Sequence, residues 1–121
     1  MVNRRLIKWE MQLDRGGQNA LCDLCGVNFG TQQHEIVNRG RTVGNEAARE
    51  ASYDKHICSL LCAECHTLNN LAERNAETLL AFNVGMYGIA PVLAALQVVQ
   101  SHLHTPLNFD IDKEVTKNDP Q

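Results

Sequence analysis

The segment Ile57-Cys58-Ser59-Leu60-Leu61-Cys62-Ala63-Glu64-Cys65-His66-Thr67-Leu68-Asn69-Asn70 holds a Cys-x-x-Cys pair with a histidine directly behind it. At that spacing a tight turn aims two thiolates at one tetrahedral ion, and a second such pair, Cys22 and Cys25, lies upstream. Together the pairs make four sulfur ligands, a closed structural zinc site. Their separation exceeds the common zinc-ribbon spacing, so an element must loop out between them and return. That insert carries His34-Glu35-Ile36-Val37-Asn38-Arg39.

At 121 residues and 44% hydrophobic, the chain suits one small domain. Aromatics are only 5%, so a zinc staple would add folding free energy to a limited core. Met1 to Leu13 mixes Arg4, Arg5, Lys8 and Glu10 with its apolar residues and shows no secretory h-region, which predicts a cytoplasmic protein. In a reducing compartment paired cysteines bind metal more often than they form disulfides. Cys58 has no Cys-x-x-Cys partner and reads as a buried small hydrophobe. The net charge of -3 argues against coating nucleic acid by electrostatics alone. Residues 1–57 hold eight Lys/Arg against seven Asp/Glu, whereas residues 58–121 hold three against seven, so a DNA-facing surface belongs in the first half.

In chain order, Arg4 to Asp14 is predicted to be a helix with Leu6, Trp9 and Leu13 along one side, stopping at Gly16-Gly17. Its Arg4, Arg5 and Lys8 are phosphate candidates or a solvated face. Cys22 to Gly30 reads as a zinc knuckle, with Gly26 permitting a left-handed turn. Val27 to Phe29 and Gln32 to Val37 are the expected strands of a hairpin. Asn38 to Lys55 is a polar excursion with a helical turn near Glu46 to Glu50, and its Arg39, Arg41 and Arg49 are the best phosphate-binding candidates. One helix is expected over His66 to Phe82, broken by Gly85 and Gly88, and another over Val92 to Leu103 with Pro91 at its start. Val84 to Leu96 is too short and too interrupted to span a bilayer, so no membrane role is expected; it is core or a partner surface, allowing a homodimer through the C-terminal apolar helix. Residues 1–20 thus form an N-terminal helix and extension, 21–82 the zinc-stapled core, 83–105 a C-terminal helix and 106–121 a polar, mobile tail.

The zinc would clamp the hairpin to the start of a helix and bring strand-borne His34 towards helix-borne His66. Two imidazoles facing across such a joint can hold one divalent ion and leave positions open, as phosphodiester cleavage requires.

At Cys22-x-x-Cys25, His34-Glu35-Ile36-x-x-Arg39 and Leu61-Cys62-x-x-Cys65-His66 the chain resembles the HNH endonuclease family, over roughly Cys22 to Asn70. The resemblance implies an α+β fold with a small ββα-metal core, a structural zinc from the two knuckles and flanking helices. It also implies a catalytic divalent metal (Mg, Mn, Ni or Zn), a double-stranded DNA substrate and a phage or mobile-element setting. Aligned on Ile36, His34 takes the family's metal position and Glu35 the position of the general base; a slipped register makes His34 the base and leaves the metal to His66 and other groups. Where the family carries its middle asparagine, His56 is the nearest residue able to serve, with Asn69 or Asn70 as replacements. Two other classes stay open: a catalytically inactive zinc-stapled DNA-binding module, and an interaction protein built on the apolar Val84 to Leu103 segment.

Overall fold

The computed structural model describes residues 2–110, which form a small α+β fold. Helix α1 (Arg4–Asp14) begins at Asn3, whose side chain accepts from the Arg5 and Leu6 amides at 3.1 and 3.2 Å. The helix has the expected span but not the expected inner face. Leu6, Trp9 and Leu13 are about half exposed, while Met11 is buried and Ile7 packs beside it. The reason lies at the two ends. Arg4 reaches Glu35 and Arg15 reaches Asp23, so the stripe Arg4, Ile7, Met11, Arg15 turns inward as one row.

Strand β1 (Gln32–Glu35) pairs antiparallel with β2 (Cys58–Leu61), in the register Gln32 with Leu61 and His34 with Ser59. This corrects the expected hairpin. Val27 and Phe29 stay exposed, and only a lone bridge joins Phe29 to Leu21. The chain enters β1 close against Leu60: a Cβ on Gly30 would lie 3.0 Å from Leu60 Cγ, so Leu60 would have to shift to admit one. Residues 58–61 are buried on both faces, so they show none of the alternation that marks a strand in sequence.

One face of this ribbon, with Cys58 and Leu60, packs on Met11 and Ala20; Leu61 on the other face joins the main core with Ile57, Leu79 and Leu80. Cys58 is buried, as a small hydrophobe, and burial drives its thiol pKa far upward. Between the strands lie α2 (Arg39–Thr42), α3 (Glu46–Ala51) and a 3₁₀ turn at Lys55–Ile57.

The single helix expected from His66 to Phe82 is instead three pieces: a π turn (Glu64–Leu68), a 3₁₀ turn (Glu73–Asn75) and α4 (Ala76–Tyr87). Asn70 breaks it by adopting a left-handed conformation at φ 49°, and Leu68 is left in solvent. Helix α4 runs through Gly85 and stops at Gly88; α5 (Ile89–Ser101) follows with Pro91 in its first turn. Val92, Leu96 and Val99 of α5 are buried in the chain's own core, leaving Leu93 and Val98 exposed. Leu107 and Phe109, which fall in the expected polar tail, pack against that core. The rest of that tail, 111–121, lies outside the described residues. Among the described residues no helix is long and apolar enough to cross a membrane.

A polar clamp joins these parts. Arg15 donates to both Asp23 oxygens at 2.8 and 2.9 Å, and also reaches Asn83 and Tyr87 of α4 at 3.2 Å. Asp23 accepts from the Leu60 amide, and Asn83 donates to the carbonyls of His56 and Cys58. Helix α4 is thereby tied to both the first knuckle and β2.

Candidate metal centre and adjoining cleft

The knuckles are shaped by their own backbones. The Gly26 amide closes onto the Cys22 carbonyl at 2.9 Å, with Gly26 at φ +66°, where a side chain would be strained. The Cys65 amide points at Cys62 Sγ, 3.4 Å away, and the Asn28 side-chain amide lies 3.7 Å from the same sulfur. As a result the thiol sulfurs of Cys22, Cys25, Cys62 and Cys65 all lie within 4.8 Å of one another.

This set fits zinc. Tetrahedral Zn–S bonds of about 2.3 Å put neighbouring sulfurs about 3.8 Å apart, and Cys25 Sγ and Cys62 Sγ are 3.8 Å apart. The thiol chemistry agrees. Backbone amides of Asn28 and Val27 pull the Cys25 thiol down to about 6, whereas burial and the neighbouring sulfurs push Cys65 upward. Four crowded sulfurs resist further ionisation until a cation sits among them. All five cysteines are free thiols.

Just past the cluster, the π turn carries His66 to face β1. The His34 and His66 rings meet edge to face, 5.0 Å between centroids. Side chains two apart on a strand share a face, so Gln32 also reaches His66, its Oε1 lying 2.8 Å from Nδ1. With Nδ1 donating to that oxygen, Nε2 keeps a free lone pair. Burial, with a smaller contribution from His66 beside it, pulls His34 down to about 4. His34 can therefore offer a nitrogen lone pair at neutral pH, and no third His, Cys, Asp or Glu among the described residues closes a cluster around the pair.

The pair lines a cleft of about 310 Å³ with Arg4, Glu35, Asn38, Arg39, Asn70 and Glu73. Strand alternation sends Glu35 to the opposite side of β1 from His34, where Arg4 holds its carboxylate in an ion pair. His34 and Glu35 nonetheless both line the cleft, as does Gln33 between Gln32 and His34.

The remaining sequence candidates scatter. Arg39 is exposed at the cleft, while Arg41 lies over the Phe109 ring at 5.3 Å. Arg49 lines a separate cavity with Tyr53 and Glu46. His56 is absent from the cleft's lining: its Nδ1 is 2.7 Å from Asp54 Oδ1, and its ring abuts Tyr87. Asn69 does not line the cleft, whereas Asn70 does. Gln32, Asn38 and Glu73 were missed by sequence reading, although the two-residue spacing from His34 was signal enough for Gln32.

Compared with protein-family models, curated proteins and solved structures, the chain finds no match in any of the three.

Proposed function

We propose that the chain is a metal-dependent endonuclease of the HNH type that hydrolyses phosphodiester bonds of double-stranded DNA. The observation that carries this reading is the facing pair His34 and His66, one from a strand and one from the turn directly behind Cys65, held together beside the four-cysteine cluster. Strands β1 and β2 with the following turn then stand for the ββα-metal core, with the π turn in the helix's place. The core departs there from the family pattern.

His34 and His66 are the residues that would hold a divalent ion. Such an ion supplies positive charge that polarises the scissile phosphate and steadies the leaving oxygen. The cleft's own charges, Arg4 and Arg39 against Glu35 and Glu73, cancel formally, so a bound ion would add the net positive charge that favours a phosphate. Glu35 accepts the proton of the attacking water as the water oxygen bonds to phosphorus; the phosphorus–oxygen bond to the leaving sugar breaks, with its electron pair kept by that oxygen. Arg39 positions the backbone without reading bases.

The test is incubation of supercoiled plasmid with purified protein and Mg, Mn, Ni or Zn. Cleavage is expected, with loss in His66→Ala and His34→Ala while zinc content and fold persist. Glu35→Gln should slow cleavage by about 10²-fold or more. Full activity in both histidine variants would remove the nuclease reading. The inactive-module reading is favoured by one observation, the engagement of Glu35 by Arg4; duplex binding without cleavage under every metal would select it.

A further inference from the structure

The Arg4–Glu35 ion pair is an odd feature for a cleft that must receive a phosphodiester. Arg4 stands on α1, 31 residues away from Glu35 in sequence, and it lines the same cleft as the His34–His66 pair. Its guanidinium also lies over the Tyr53 ring, 4.9 Å from the centroid, so an aromatic face supports it from one side. The side chain is 42% exposed while that of Glu35 is 13% exposed, so solvent and solutes reach the arginine more readily than the carboxylate. A guanidinium carries five donors in a planar fork that suits carboxylate and phosphate alike.

From this geometry we infer that Arg4 is a phosphate-binding residue for which Glu35 acts as an internal stand-in until DNA arrives. The inference rests on the DNA-directed reading of the cleft and deepens it. A backbone phosphate bearing one negative charge replaces the Glu35 carboxylate on the Arg4 fork. Glu35, released at the end of β1, is then free to take a proton from water. The same exchange links substrate arrival to exposure of the proton acceptor, and it keeps the carboxylate engaged when no phosphate is present. Arg4 is thus a positioning residue for Glu35 as well as a substrate contact. Buried Met11 and partly buried Ile7 on the same helix stripe hold α1 in place during the exchange, so only the arginine side chain has to move.

The two partners should respond with opposite signs. Binding is measured by fluorescence anisotropy on short labelled duplexes of unrelated sequence, without added divalent metal, across a salt series. Arg4→Ala should weaken every duplex alike and lower the salt slope by about 1, as for one lost phosphate contact. Arg4→Lys, which keeps the charge but not the fork, should retain most of that slope. Glu35→Gln frees Arg4 and should tighten binding several-fold while slowing cleavage. Unchanged affinity and slope in Arg4→Ala, with only a lower melting temperature, would make Arg4 a structural clamp and overturn the inference. Should Arg4→Ala fail to fold, weaker or equal binding by Glu35→Gln overturns it independently. The nuclease reading fails separately: a protein that cleaves under no metal yet shows both binding effects keeps Arg4 as a phosphate ligand and loses the catalysis. Normal cleavage by Arg4→Ala with unaltered affinity does the reverse.

Discussion

Replacing Arg15 with methionine removes all five guanidinium donors yet keeps an unbranched apolar stem, so the change isolates the charge from most of the packing. In the folded chain Arg15 and Asp23 form a two-bond fork at 2.8 and 2.9 Å, with side chains only 3% and 1% exposed. Burial pushes the Asp23 carboxyl above its ordinary range, against the pull of Arg15 and of the Leu60 amide. Without Arg15 that carboxylate keeps the Leu60 amide at 3.1 Å as its remaining partner in the clamp. Breaking a buried pair from one side costs about 3–5 kcal/mol, a large share of a native stability of about 5–15 kcal/mol. With a urea slope of about 2 kcal/mol/M, the unfolding midpoint should fall by roughly 2 M. The assay is urea unfolding of reduced protein at saturating zinc, followed by far-ultraviolet circular dichroism and by Trp9 fluorescence. Arg15→Met combined with Asp23→Leu should lose less than the single changes added together, since no buried charge is left unpaired. A loss below ~1 kcal/mol for Arg15→Met, the size of a surface ion pair, would refute the clamp.

Elemental analysis should find one zinc per folded, reduced chain, and Cys62→Ser should lose the metal together with the cooperative unfolding transition; a folded chain free of zinc would contradict the staple. His34 should titrate at about 4 by NMR without added divalent metal, against an ordinary 6.5. Because its folded pKa is the lower one, its contribution is complete above 6.5 and is lost as pH falls towards about 4. His34→Gln should flatten that stretch of the stability profile, and a measured value near 6.5 would contradict the burial account. Arg39→Ala should weaken unrelated duplexes equally, whereas Arg41→Ala should do less because its guanidinium sits over Phe109. A loss confined to one sequence would contradict positioning by phosphate contact.

Short-range chemistry made part of this protein legible from its residues. The two Cys-x-x-Cys spacings implied one four-sulfur cluster, because a tight turn fixes where each pair points. The end of α1 could be read from Gly16-Gly17, since helix breakers act within a few residues. The facing of His34 and His66 followed in outline, because the cysteine cluster draws their elements together. What the tertiary structure decided was every choice between partners distant in sequence. Leu6, Trp9 and Leu13 make as good a helical stripe as Ile7 and Met11, and only the anchoring of Arg4 and Arg15 at Glu35 and Asp23 chose between them. The strand that pairs with β1 lies beyond two helices, where no local pattern could nominate it. Glu35 follows His34 in sequence, yet strand alternation sends it to Arg4 on the other face of the ribbon, because neighbouring residues on a strand point to opposite sides.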